Sequence, residues 1–103
     1  MTTLKTITRK ELEQILTLHL QWLNDNLKGV RANLSYTDLR GINLSNLNLS
    51  YANLSNANLS SANLINTNLR HADLCYTNLR YALFKNTDLT DANLSNSSLM
   101  SVY

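Results

Sequence analysis

Residues 32–101 form fourteen consecutive five-residue units, which read ANLSY, TDLRG, INLSN, LNLSY, ANLSN, ANLSS, ANLIN, TNLRH, ADLCY, TNLRY, ALFKN, TDLTD, ANLSN and SSLMS. The third residue is leucine in thirteen units and phenylalanine, Phe84, in the other. The first residue is small in twelve units, and the second is Asn or Asp in twelve. Such an unbroken internal period indicates a repeat architecture.

A five-residue period matches neither the 3.6-residue period of an α-helix nor the two-residue period of a β-strand. The chain must therefore turn a corner in every unit, with each leucine pointing inward and a small residue where the backbone approaches the axis. This describes a coil filled by side chains, whose successive turns stack at the strand spacing of about 4.8 Å. The alternative is a disordered or aggregation-prone Asn/Ser-rich tract. The unbroken leucine phase over all fourteen units argues against disorder.

The units resemble the A(D/N)LXX consensus of the pentapeptide-repeat family over about two-thirds of the chain. The resemblance implies an all-β solenoid, a right-handed quadrilateral β-helix with four units per coil, so fourteen units make about three and a half coils. The coils would span residues 32–51, 52–71 and 72–91, with half a coil over 92–101. The segment 19–35, HLQWLNDNLKGVRANLS, also resembles the lead-in of short stand-alone pentapeptide-repeat proteins of bacteria and phages.

Coils of twenty residues predict which side chains stack above one another. The inward columns should be Leu34/Leu54/Leu74/Leu94, Leu39/Leu59/Leu79/Leu99, Leu44/Leu64/Phe84 and Leu49/Leu69/Leu89. On the outside, Asn46, Asn66 and Asn86 should form a ladder whose amides hydrogen-bond along the stack. Both ends of such a stack of coils expose apolar side chains and unpaired backbone edges, so both need a cover.

Residues 1–31 are predicted to cap the first coil with a helix. Thr8 and Glu11 have the spacing of a capping box, with Ile7 and Leu12 placed as a hydrophobic staple. Apolar or half-polar residues then recur at helical spacing on one face: Leu12, Ile15, Leu16, His19, Trp22 and Leu23.

The helix is expected to end near residues 24–26, before Gly29. Its apolar stripe should cover the first coil, where Ile42 and Leu47 are larger than the usual small residue and can fill the junction. The cap and the β-helix of residues 32–103 then form one structural domain.

The C-terminal end of the column is the predicted self-association surface. The last two units stop half-way round a coil, and no helix follows to cover them. The candidate interface residues are Leu94, Leu99, Met100, Val102 and Tyr103. Two such ends meeting about a two-fold axis would bury both sets of leucines and pair both backbone edges, which predicts a homodimer. The alternative is a monomer in which the last two residues fold back as a plug.

Composition excludes several classes of protein. Two glycines and no proline cannot build a phosphate-binding glycine loop, and one cysteine excludes an intrachain disulfide or a multi-cysteine zinc site. The first ten residues have no signal-peptide core, so a reducing, cytoplasmic setting is expected, and no apolar run is long enough for a membrane span. Residues 1–31 carry five basic and three acidic side chains, and residues 32–103 carry four of each. Direct nucleic-acid binding is therefore not expected.

Candidate catalytic groups are few. His19 lies on the apolar helix face, His71 on an outward corner, and Cys75 faces outward with no histidine in its column to lower the pKa of its thiol. Three aspartates, Asp73, Asp88 and Asp91, fall in different columns. The sequence predicts no catalytic residue, no cofactor and no metal ligand, so the chain is not expected to be an enzyme.

Two functional hypotheses remain. The favoured one is a non-enzymatic structural scaffold that binds a protein partner, which the sequence does not identify, or a second copy of itself. The alternative comes from the resemblance, because well-known members of the family mimic DNA and modulate DNA gyrase. That mimicry depends on a strongly negative surface, whereas residues 32–103 have balanced charge.

Overall fold

The computed structural model describes residues 3–103. In these residues a single α-helix comes first, and a coil that turns every five residues follows it. The helix, α1, spans Arg9–Asn24. Parallel β-bridges then join residues twenty positions apart, from Asn33 and Asn53 at the upper end, near the helix, to Asn78 and Ser98 at the lower end. In residues 3–103 these bridges are single residues rather than longer strands, because the chain turns again within each unit.

Backbone hydrogen bonds hold each coil to the next. The Leu34 N–H donates to the Asn53 carbonyl at 2.7 Å, and the Asn53 N–H donates back to the Ala32 carbonyl at 3.0 Å. The following coil repeats the pair, since Leu54 N–H donates to the Asp73 carbonyl at 2.8 Å. The predicted twenty-residue register is confirmed.

The repeat leucines fill the interior of the coil, as predicted. Ten of them are at most 1% exposed: Leu34, Leu39, Leu44, Leu49, Leu54, Leu59, Leu64, Leu69, Leu74 and Leu79. Full burial of one such side chain contributes about 1.5–3 kcal/mol, so these ten leucines contribute strongly to stability. Burial decreases toward the lower end, where Phe84, Leu89 and Leu94 are half-buried but still pack against the core.

The last residue of each unit turns the corner with a left-handed backbone. Thirteen non-glycine corners have φ between 54° and 66°, and Gly41 occupies the remaining one. Side-chain oxygens of the Asn or Asp residues support these turns: the Asn53 Oδ1 atom accepts a hydrogen bond from the Ser55 N–H at 3.0 Å. Such bonds explain why the second residue of a unit is almost always Asn or Asp.

The capping box at the start of α1 is confirmed. The Thr8 hydroxyl accepts a hydrogen bond from the Glu11 N–H at 3.1 Å, and the Glu11 carboxylate accepts one from the Thr8 N–H at 3.0 Å. The buried face of α1 carries Leu12 and His19. Beside them, further apolar side chains pack against the leucine core: Ile15, Leu16, Ile42 and Leu47. The helix therefore covers the first coil, and the two larger residues fill the junction.

Gly29 allows the chain to leave the helix and enter the first coil. Its φ is +70°, and a Cβ atom at this position would lie 2.3 Å from the Leu18 carbonyl oxygen. The neighbouring Val30 N–H donates to that same carbonyl at 3.1 Å. Only glycine fits this close approach without displacement of the helix end.

A second part of the cap, which is not predictable from side-chain patterns, precedes α1. The Lys5 N–H donates to the Tyr36 carbonyl at 2.7 Å, and the Lys5 carbonyl accepts from the Asp38 N–H at 2.8 Å. This bridge pairs one side of the upper edge with backbone from the N-terminal segment. The upper end is thus covered by both a helix and a paired backbone segment.

The last residues continue the coil. The Tyr103 N–H donates to the Ala82 carbonyl at 2.9 Å, and the Phe84 N–H donates to the Tyr103 carbonyl. Residues 102 and 103 therefore stack beneath the side that contains residues 82–84.

Among the described residues, no helix is both long and apolar enough to cross a membrane.

Candidate interaction surfaces

The lower end of the stacked coils, defined here by Phe84, Leu89, Leu94 and Leu99, presents the interior of the coil to solvent. Leu79 is 0% exposed, whereas Leu99, the next residue in the same column, is 42% exposed. Nothing in residues 3–103 covers this surface in the way that α1 covers the upper end. The candidate interface residues Leu94 and Leu99 lie at this end.

Backbone groups at the lower end also lack partners. The Leu74 N–H and the Ala72 carbonyl are hydrogen-bonded to residues of the coil below. One coil further down, the Leu94 N–H and the Ala92 carbonyl have no protein partner within residues 3–103. The edge therefore carries both unpaired donors and unpaired acceptors, which is the condition for edge-to-edge pairing.

The five candidate interface residues do not all lie on this surface. Leu94 and Leu99 end their columns, and Val102 is half-buried beside them in the chain. Met100 lies on an outer side instead, where its Sδ atom accepts a hydrogen bond from Arg80 Nη2 at 3.5 Å. Tyr103 is 71% exposed.

An apolar side patch adjoins the lower end. It consists of Tyr81, Leu83, Met100 and Tyr103, all of which are exposed. Leu83 occupies a position that is Asn or Asp in most units, so its apolar side chain is a departure from the repeat. Ile65, another apolar residue at an outward position, is half-buried and does not belong to the patch.

An aromatic ridge runs down one corner from the helix. Trp22 meets Tyr51 edge-on at 6.2 Å between ring centroids, and Tyr51 stacks on His71 at 4.7 Å. Below them, the His71 Nε2 atom lies 3.7 Å from the Asp91 Oδ2 atom. His71 is thus on an outward corner, as predicted, and its neighbours place it in a stack that ties the cap to the coils.

Cys75 and Asp38 each lie beside a charged side chain two residues away in the chain, and that neighbour shifts the pKa of each. The Asp73 carboxylate beside Cys75 raises the pKa of the cysteine thiol, which disfavours the nucleophilic thiolate. Hydrogen bonds from Arg40 lower the pKa of the Asp38 carboxyl, and the two side chains form a bidentate pair at 3.0 Å. Within residues 3–103, no three His, Cys, Asp or Glu side chains could jointly hold a metal ion.

A surface depression with a volume of about 630 Å³ lies between the N-terminal segment and the first two coils. Thr6 and Ile7 line one wall, and the Arg40–Asp38 pair lines another. Because Arg40 is already paired with a carboxylate, the described residues that line the depression offer no free cation to an anionic ligand.

The asparagine ladder forms only in part. The Asn66 Nδ2 atom donates to the Asn46 Oδ1 atom at 3.2 Å. The next step, from Asn86 to Asn66, has no side-chain hydrogen bond in the described part of the chain.

Two solved structures resemble this chain over most of its length. The pentapeptide repeat protein Rfr23 from the cyanobacterium Cyanothece 51142 is 33% identical, with a TM-score of 0.56 over 70% of this chain and 56% of that one. HetL, a pentapeptide repeat protein from the cyanobacterium Nostoc sp. strain PCC 7120, is 35% identical, with a TM-score of 0.53 over 67% of this chain and 35% of that one. The chain therefore spans less than two thirds of either protein. No curated protein is significantly similar to it in sequence.

The family comparison agrees with the coil geometry. The model described as pentapeptide repeats matches residues 30–64, 52–91 and 67–102, with eight copies. These residues include every bridge between coils, and the fold that the family and its solved structures imply is a right-handed quadrilateral β-helix. This chain belongs to the pentapeptide-repeat family.

Proposed function

We propose that this protein is a non-enzymatic binding scaffold and that its lower end joins two copies into a homodimer. Pentapeptide-repeat proteins are generally structural or interaction proteins rather than enzymes. In the proposed arrangement, residues 1–31 are the cap and residues 32–103 a rigid column of about three and a half coils. The observation that carries the proposal is the difference between the two ends, of which only the upper one is covered within the described residues.

The lower end has the chemistry of a self-complementary surface. A two-fold axis would bring the exposed Leu99 side chains of two copies together and remove apolar surface from water. The unpaired Leu94 N–H of one copy and the unpaired Ala92 carbonyl of the other are the kinds of group that antiparallel edges exchange. The side patch that includes Leu83 and Tyr103 extends the apolar area next to this edge.

The charge distribution supports a scaffold rather than a DNA mimic. Residues 32–103 carry four acidic and four basic side chains. Two of the acidic ones lie near a cation: Asp38 beside Arg40, and Asp88 at 3.9 Å from Arg70. HetL is described as involved in the regulation of heterocyst differentiation. A regulatory role through binding would suit this chain as well, with a partner still to be identified.

Light scattering at micromolar concentrations tests the dimer. We expect the intact chain to have twice the monomer mass, and Leu99→Arg to have the monomer mass, because a charge at the centre of the interface cannot be buried without a partner. Leu20→Arg is the matched control, since Leu20 is exposed on α1 at the other end of the molecule. A monomer mass for the intact chain, unchanged by Leu99→Arg, would rule the dimer out and would leave binding of other proteins as the remaining scaffold role.

A further inference from the structure

His19 is the only fully buried titratable side chain among residues 3–103, and it joins the helix to the first coil. Its Nε2 atom lies 3.0 Å from the Ser50 carbonyl oxygen, and its Nδ1 atom accepts a hydrogen bond from the Ala32 N–H at 2.9 Å. The ring also stacks on Trp22, at 5.8 Å between centroids. One side chain of α1 thus bonds to two backbone groups at opposite ends of the first coil.

Those two backbone groups are the ones that the repeat itself satisfies in the coils below. The Arg70 carbonyl, one coil beneath Ser50, accepts a hydrogen bond from the Tyr51 N–H at 2.9 Å. The Ala52 N–H, one coil beneath Ala32, donates to the carbonyl of Leu49 at 3.0 Å. The first coil has no equivalent donor or acceptor, because the chain before residue 31 leaves the repeat. The two ring nitrogens of His19 supply this missing donor and this missing acceptor.

This replacement requires one form of the imidazole ring. The Ala32 N–H can only donate, so Nδ1 must keep a free lone pair. The Ser50 carbonyl can only accept, so Nε2 must carry the hydrogen. A second proton, on Nδ1, would point at the Ala32 N–H and break that hydrogen bond. Only the neutral Nε2–H tautomer can make both hydrogen bonds while α1 is packed on the first coil, an arrangement called the closed form below.

We propose that His19 is a pH-sensitive latch: the neutral ring holds α1 on the first coil, and protonation of the ring releases the helix from the upper end of the column.

The surroundings of His19 favour its neutral form. Burial lowers the pKa of His19 below its ordinary value of 6.5, and the nearby Arg31 guanidinium lowers the pKa further, while the hydrogen bond to Ser50 acts in the opposite direction. Arg31 is held in place by a hydrogen bond from its Nε atom to the Tyr51 carbonyl at 2.6 Å. Three further ionisable groups, Tyr51, His71 and Asp91, follow one another along the corner next to Trp22.

The direction of the pH effect follows from the lowered pKa. In the open form His19 contacts water and takes up a proton near pH 6.5, whereas in the closed form it resists protonation. As the pH falls below 6.5, the opening equilibrium therefore gains up to tenfold per pH unit until the closed form is itself protonated. Well above pH 6.5 the ring is neutral in both forms, and the opening equilibrium no longer depends on the ionisation of His19.

Nuclear magnetic resonance of the full chain with ¹⁵N-labelled histidine tests the proposal. The His71→Asn variant serves as background, because it removes the other histidine and places at that corner a residue that other corners already use. At pH 7.5 we expect the Nε2–H tautomer of His19, and on acidification a protonation midpoint below 6.5. The protection of the Ala32 amide against hydrogen exchange should fall below pH 6.5, by up to tenfold per pH unit, until the closed form is itself protonated. The emission of Trp22, the single tryptophan, should shift to the red over the same range.

The matched variant is His19→Gln in the same background. A glutamine amide offers one donor group and one acceptor but does not titrate between pH 4 and 8, so the variant should keep its Trp22 emission unchanged over that range. A His19 midpoint at or above 6.5 would overturn the proposal. So would protonation of His19 without any change at Ala32 and Trp22, or release of the helix at the same pH in His19→Gln. If the glutamine variant does not fold, the chain that retains His19 decides the matter through its tautomer, its midpoint and its Ala32 exchange.

Discussion

Two identical substitutions in one column, Leu79→Ala and Leu99→Ala, measure how the environment of the leucines changes along the molecule. Leu79 is 0% exposed and is enclosed by coils above and below. Its truncation should lower the free energy of unfolding by about 2–5 kcal/mol, because the cavity left behind adds to the lost burial. Leu99 is 42% exposed. Only part of its burial is lost on truncation, and the open side leaves no enclosed cavity, so the expected loss is about 1–1.5 kcal/mol.

Urea unfolding followed by circular dichroism, at concentrations low enough to keep the chain monomeric, gives both free energies. The slopes of the two unfolding curves should be equal, since neither change alters the surface exposed on unfolding by much. Equal losses for the two variants would refute the reasoning, because they would show that Leu99 is as enclosed as Leu79. A loss for Leu99→Ala that grows with protein concentration would instead measure the contribution of Leu99 to the proposed dimer.

Three further substitutions or truncations test other parts of the structure by the same unfolding measurement or by light scattering. Phe84→Ala should lower the free energy of unfolding by about 1–3 kcal/mol, less than full burial would give, because the ring is half-buried; an unchanged melting curve would mean that the ring does not face the core. Gly29→Ala should lower the free energy of unfolding by about 2 kcal/mol or more, since residue 29 has a left-handed backbone and the added Cβ meets the Leu18 carbonyl. Gly41→Ala is the control: a Cβ added at residue 41 has open space around it, so the free energy of unfolding should fall by less. A fragment of residues 30–103 should aggregate or lose β structure, because the upper leucines and their edge are exposed together; a soluble, folded monomer would mean that the helix serves a partner instead.

The repeat was predictable because its physical signal is in the side chains. The interval between leucines determined the register, and the observed bridges between Asn33, Asn53 and Asp73 have that interval. The capping box was predictable for the same reason, since Thr8 and Glu11 are side-chain groups at a fixed spacing.

The features that the sequence did not reveal depend on backbone groups or on distant contacts. Lys5 pairs with the first coil through its N–H and carbonyl alone, and every residue except proline has these groups. His19 was recognisable as part of the apolar helix face, but its partners lie 13 and 31 residues further along the chain. Binding of a protein partner, formation of the homodimer and the cytoplasmic setting stay predictions.

Paired residues in neighbouring coils are always twenty positions apart, so one layer of the molecule corresponds to twenty residues of sequence. An insertion or deletion of twenty residues inside the coil would add or remove one whole layer, and every column below it would keep its composition. A change of five residues would instead rotate everything below it by a quarter turn relative to the helix. The aromatic ridge at residues 51, 71 and 91 would then be broken, and the apolar side patch would face a new direction. Duplication in whole layers is therefore the route by which such a chain can lengthen without losing the relation between its two ends.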